Sequence, residues 1–189
     1  MSEAAARHRS HAGTFSARAQ GVAAWDGPSP VPEWTARDVV RHLVEWFPPF
    51  LADGSGIKLP AGPSVDDDPV GAWQHQADGI QGILDDPASA SVTFAHPHIP
   101  ACLLPEAIDR FYTSDVFMHT WDLARATGQD DRLDPAEAAE LLAGMEPIDD
   151  MLRASGQYGP KQPVAADADP GTRLMAFVGR DPNWSSSER

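Results

Sequence analysis

Asp115-Val116-Phe117-Met118-His119-Thr120-Trp121-Asp122-Leu123 is the stretch on which the reading of this chain turns. On a helix, Asp115 and His119 fall one turn apart and point the same way, the geometry of two ligands to one metal ion. Asp122 lies on the same stripe, which Ile108, Tyr112 and Ala126 extend. An acidic, imidazole-bearing stripe beside apolar positions is expensive to bury unless its charges are paired or bound to a cation. The arrangement therefore asks for a partner.

A second imidazole supplies one. His42, in Val39-Val40-Arg41-His42-Leu43-Val44, lies on another predicted helix among apolar residues. Three ligands from two helices can hold a divalent metal and leave coordination positions open for water or substrate. Spacing alone also allows a plainer arrangement. In it Asp115 and His119 form an intrahelical ion pair, worth roughly a few tenths of a kcal/mol, and His42 is a core histidine donating to a carbonyl.

Working outward, the chain reads as helices separated by loops rich in Pro and Gly. The first helix is predicted over Glu3 to Ala24, before Trp25-Asp26-Gly27-Pro28. Thr35 and Asp38 form a capping-box start for the second, which carries Val39, His42, Leu43, Trp46 and Phe50 and is kinked or ended by Pro48-Pro49. A loop over 53–68 closes on Asp68 as N-cap and Pro69 as first residue of a third helix, which stops at Asp85-Asp86-Pro87. Ser91 to Phe94 alternates as a short extended segment would, and His96 to Pro100 is not helical. The fourth helix runs from near Pro105 to Thr127, with Gly128 as its stop. Asp134-Pro135 opens a fifth through about Arg153, and Asp169-Pro170 precedes a short last helix over Thr172 to Val178. The expected fold is all-α, an antiparallel four-helix bundle with extra short helices and long connecting loops, as one domain over 1–189.

Composition narrows the function. A net charge of −14 over 189 residues argues against nucleic acid or an anionic membrane as partner. Cys102 is the sole cysteine, so neither an intramolecular disulfide nor a thiolate zinc site is available, and a reducing interior is the natural compartment. Met1 to Gln20 has Arg7, Arg9 and Arg18 and no apolar run of signal or membrane type, so a cytoplasmic location is expected.

Three segments together resemble a known family: His42-Leu43-Val44, the run from Asp115 through Trp121-Asp122-Leu123-Ala124-Arg125-Ala126-Thr127-Gly128, and Phe177-Val178-Gly179-Arg180-Asp181-Pro182. They are similar to the actinobacterial metal-binding branch of the DinB superfamily, whose relatives include the mycothiol-dependent maleylpyruvate isomerases. The resemblance is strongest over 15–184. It implies a DinB-like bundle binding one divalent metal, zinc or nickel, with the ligands falling on His42, Asp115 and His119. The isomerases use glutamate at the middle position and many superfamily members histidine, so Asp115 is a methylene shorter than the isomerase ligand. They also carry a C-terminal domain after the bundle, and this chain is expected to lack a full one.

Such a site lowers the pKa of a bound water or thiol toward roughly 7. By resemblance the thiol is mycothiol and the substrate a small electrophile, which makes the chain a metal- and thiol-dependent isomerase or transferase. A noncatalytic metal-binding or sensing bundle, with a homodimer allowed, is the alternative. A plain helical domain without metal is the third. Asp122 is expected to orient His119, to pair with Arg125, or merely to serve the helix end. Arg41 and Arg110 are candidates for a substrate carboxylate. His96 and His98, two apart around a proline, form a weaker metal candidate than a solvated loop. Cys102 is expected as a small buried apolar residue, and Trp34, Trp46, Trp73 and Trp121 as core and pocket lining.

Overall fold

A computed structural model of the chain describes residues 2–97, 99–165 and 167–186. Helix α1 (Glu3–Gln20) begins at Ser2, whose hydroxyl accepts the Ala5 N–H. It stops at Gln20 rather than Ala24 because its end is capped from elsewhere. The Gln129 side-chain amide donates to the Arg18 carbonyl at 2.8 Å. That side chain occupies the space over Gly21, where an added Cβ would lie 2.5 Å from its Oε1.

Helix α2 (Ala36–Glu45) opens on the expected capping box. The Thr35 N–H donates to Asp38 Oδ2 at 2.9 Å, and the Asp38 N–H donates to Thr35 Oγ1 at 3.2 Å. Pro48 and Pro49 end it by opening a new helix, α3 (Phe47–Ser55), whose first turn has no use for their missing N–H groups. Gly56, at φ 75°, closes α3 in the left-handed conformation. Helix α4 (Pro69–Asp85) starts as read, with Asp68 accepting the Gly71 N–H. The weak extended signal becomes an antiparallel hairpin of β1 (Thr93–His96) and β2 (Ile99–Leu103), with Thr93 opposite Leu103 and Phe94 opposite Cys102. His98 lies outside the described residues.

The long fourth helix contains a change of winding that no local signal announced. Helix α5 (Leu104–Ala107) passes into a π-helical segment over Ile108–Thr113 and then into α6 (Ser114–Thr127), with the Ser114 N–H reaching back to the Asp109 carbonyl. The expected fifth helix is broken around Pro147 into α7 (Pro135–Met145) and α8 (Asp149–Ala154), joined by a 3₁₀ turn. Helix α9 (Pro170–Phe177) follows its Asp169 cap.

Helices α1 and α2 each pack against both α4 and α6, closing the four-helix bundle. Its core includes Phe15, Leu43, Trp73, Ile80, Val116 and Leu123, all buried. The opposite side of α6 presents Phe117, Met118 and Trp121 to Ala138 and Leu142 of α7 and to Leu174, Met175 and Phe177 of α9. Helix α6 is thus enclosed on both sides, the condition under which a helix can be apolar nearly all round. Any polar group on it must find its partner inside the protein. Among the described residues, no helix is long and apolar enough to cross a membrane.

Candidate metal centre

Helices α2 and α6 bring His42, Asp115 and His119 together. One ligand atom from each lies within 4.8 Å of the other two. His42 Nε2 is 3.1 Å from Asp115 Oδ2, and His119 Nε2 is 3.4 Å from Asp115 Oδ1. Ligands held about 2.0–2.2 Å from a common tetrahedral ion stand roughly 3.3–3.6 Å apart; the 3.4 Å separation falls at that spacing and the 3.1 Å one slightly inside it. Trp46 Nε1 donates to Asp115 Oδ2 at 2.9 Å and fixes the carboxylate. The Trp34 ring lies 5.1 Å from that of His42 and 5.9 Å from that of His119, centroid to centroid, so it packs over both imidazoles.

The far side of His119 is equally constrained. Its Nδ1 lies 2.8 Å from Asp122 Oδ2, and Asp122 is fully buried. Burial alone would raise the Asp122 carboxyl, but Arg180 and His119 hold it below the usual carboxylate range. An ionised Asp122 only accepts, so the shared proton sits on His119 Nδ1. In the neutral ring with that proton on Nδ1, Nε2 turns its lone pair toward Asp115 Oδ1 at 3.4 Å, the orientation a metal ligand needs. Asp115 follows the same pattern: burial would raise its carboxyl, while His119, His42 and the Trp46 N–H bring it below its ordinary value. Two imidazole nitrogens and one ionised carboxylate are a donor set that fits a divalent metal.

Arg180, which follows α9, was not read from the sequence as a site residue. Its Nε lies 3.0 Å from Asp122 Oδ1 and 3.2 Å from Oδ2, and a terminal nitrogen lies 3.0 Å from Oδ2. Arg125, the expected alternative partner of Asp122, turns away to pair with Asp131 and lies over the Trp121 ring. Tyr158 packs against the α7 and α9 cluster, and burial pushes its phenol up to about 12. It is therefore protonated at neutral pH.

The centre opens into a cleft of about 540 Å³ lined by Glu33, Trp34, Asp38, Arg41, His42, Glu45 and Trp46. Arg41 does not offer its charge to a ligand there, because Asp38, Glu45 and Asp66 all engage it, the last at 2.5 Å. Glu33 holds a positive φ of 68°, costly for a residue with a side chain, and so stands at the rim against its local preference. Arg110 is exposed and lies over the Phe111 ring. Trp73 and Trp121 are core residues, and Trp34 and Trp46 line the cleft. Cys102 is half-exposed on β2 rather than buried. His8 and His11, which drew no notice in the sequence, are buried. His8 Nδ1 lies 2.8 Å from Gln81 Oε1 and His11 Nε2 lies 2.6 Å from Glu137 Oε1, contacts that join α1 to α4 and α7.

The helical bundle thus sets two imidazoles against one carboxylate beneath an open cleft, a group of the kind that could hold a metal ion. Residues 5–124 match the family described as the mycothiol maleylpyruvate isomerase N-terminal domain, and the chain belongs to that family. Two uncharacterised proteins of Mycobacterium tuberculosis, from strains CDC 1551 and H37Rv, are each 35% identical over 161 residues, 82% of this chain and 84% of the relative. No solved structure matches the chain.

Proposed function

We propose that this chain, acting as one unit over 1–189, holds one divalent metal, zinc or nickel, through His42, Asp115 and His119. We further propose that it uses the site for thiol-dependent isomerase or transferase chemistry on a small electrophile. The observation that carries the reading is the pair of imidazoles set at ligand spacing on one carboxylate, with His119 held from behind by Asp122. When bound, the metal supplies a water or thiol whose pKa is brought toward roughly 7. The chain's own residues do the rest. Asp122 keeps the His119 proton on Nδ1, Trp46 orients the Asp115 carboxylate, and the rings of Trp34 and Trp46 wall the cleft.

Mycothiol, named by the family, is the thiol we assign, in a reducing cytoplasm where free thiols persist. The electrophile differs in charge from maleylpyruvate, which carries two carboxylates. Glu33, Asp38 and Glu45 line the cleft, and its lining cation, Arg41, is already engaged. We assign an uncharged or cationic electrophile.

A second reading is favoured by the way the centre ties α2 to α6 and, through Arg180, to the segment after α9. In it the metal stabilises the fold or reports its own presence, and nothing turns over.

Elemental analysis of protein purified without tag or chelator, beside the His119→Ala variant, tests the site. About one equivalent of metal in the parent and none in the variant is expected. Absence of metal from both after reconstitution sinks the proposal. Adding a thiol to cobalt-substituted protein separates the two readings. Direct sulfur ligation changes the spectrum if the enzyme reading holds, and an unchanged spectrum favours the stabilising role.

A further inference from the structure

The family match ends at residue 124, yet the cation paired with Asp122, the carboxylate behind His119, comes from residue 180. Asp122 is buried on the side of α6 that α7 and α9 cover, so water cannot satisfy its carboxylate there. His119 engages one of its oxygens and the Arg180 guanidinium spans both, leaving the carboxylate a single orientation. Arg180 is itself well placed. Its side chain is only 14% exposed, and its backbone N–H donates to the Met175 carbonyl at 2.9 Å. The preceding Gly179 adopts φ 98° against the backbone of Gly159, and Arg153 bonds the Phe177 carbonyl at 2.5 Å. The chain after α9 is thus turned and braced so that residue 180 enters the protein instead of leaving it.

We propose that Arg180 is a positioning residue of the metal centre: it locks the Asp122 carboxylate and, through it, the Nδ1–H tautomer and ring orientation of His119. This rests on the reading of His42, Asp115 and His119 as ligands. Without the fork of Arg180, Asp122 is a buried charge held by one imidazole alone, and His119 loses the fixed acceptor that keeps Nε2 bare toward Asp115. By reciprocity, metal bound at the centre holds the segment after α9 in place.

The experiment pairs two readouts on the full chain. Nitrogen NMR of the zinc-free protein reports which ring nitrogen of His119 carries the proton, and competition with a chromophoric chelator reports zinc affinity. The parent is expected to show the Nδ1–H form. Arg180→Gln mixes the tautomers and weakens zinc about tenfold or more, the cost usual for removing a group that orients a ligand. Arg180→Lys, which restores charge but not the two-pronged contact, recovers part of that affinity. Leu142→Ala loosens the same hydrophobic cluster without touching Asp122, and leaves the tautomer and zinc affinity within about twofold of the parent.

An unchanged tautomer and unchanged affinity in Arg180→Gln overturn the proposal. So does Leu142→Ala weakening zinc as strongly, because Arg180 would then act through packing alone. Should Arg180→Gln fail to fold, Arg180→Lys carries the comparison: its zinc affinity must fall between parent and loss, and parental affinity overturns the assignment. If the parent binds no zinc, the metal reading fails, while the tautomer comparison still decides whether Arg180 sets His119.

Discussion

The Trp46 indole donates to Asp115 Oδ2 at 2.9 Å, on the same oxygen that His42 approaches to 3.1 Å. Trp46 sits at the junction of α2 and α3, so the break made by Pro48 and Pro49 is also what delivers the indole to the carboxylate. Replacing Trp46 by Phe keeps an aromatic ring in the cleft wall and removes the N–H together with part of the ring. A hydrogen bond to a charged acceptor contributes about 1.5–3 kcal/mol. Trp46→Phe is therefore expected to lower stability by about 1–2 kcal/mol in urea titration and to weaken zinc several-fold by chelator competition. An unchanged zinc affinity would mean that the carboxylate is oriented by the histidines alone.

The buried His8 predicts a specific pH dependence. Burial lowers its pKa below the ordinary histidine value, so the folded protein carries it neutral and the unfolded chain takes up the proton first. The stability it confers is present above roughly pH 6.5 and is lost as pH falls from there toward the lower folded value. Chemical denaturation of the parent at pH 7.5 and 5.5 should show the loss, and His8→Leu should flatten it. Equal slopes in both proteins would assign the pH response to another group.

Two glycines that touch each other should respond differently. A Cβ on Gly179 would lie 2.8 Å from Gly159 Cα at φ 98°, whereas a Cβ on Gly159 would lie 3.6 Å from Gly179 Cα. Gly179→Ala is expected to cost about 1–3 kcal/mol, and Gly159→Ala to stay within about 0.5 kcal/mol of the parent. Thermal unfolding of both measures the difference, and equal losses would mean the chain can relax away from the contact.

The charge of the cleft can be read with three small thiols of similar size: cysteamine, 2-mercaptoethanol and thioglycolate. Titrated into cobalt-substituted protein, the cationic thiol should bind most tightly and the anionic one least. The preference should fall by about tenfold when Glu33 and Glu45 are both replaced by Gln, a comparison in which intrinsic thiol acidity cancels. High salt should shrink it as well. A preference unmoved by the double replacement would return anionic electrophiles to consideration.

What could be read in the sequence was local. The Thr35–Asp38 box and the Asp-Pro starts at Asp68, Asp134 and Asp169 act within one turn of chain, and each opens a helix where expected. The one-turn spacing of Asp115 and His119 was likewise visible, as was His42 on its apolar helix, and the fold brings all three together. Long-range contacts were not legible. The end of α1 depends on Gln129, and the partner of Asp122 proved to be Arg180, 58 positions away, rather than Arg125 on the same helix. Arg41 looked free for a substrate because Asp66, which claims it, lies across a loop. The hairpin signal was faint because its strands are short and carry Pro100.

The π-helical segment over Ile108–Thr113 has one further consequence. Each π turn holds about one residue more than an α turn, so it acts as a phase shifter between the halves of one rod. The first half presents Leu104 and Ile108 to the bundle core, and the second presents Asp115 and His119 to His42. Keeping all 6 residues of the segment but winding them as α would rotate the second half by about 100° relative to the first. The two halves could then no longer face their partners together, so the registry of this cluster is stored in an irregularity of the backbone as much as in the side chains themselves.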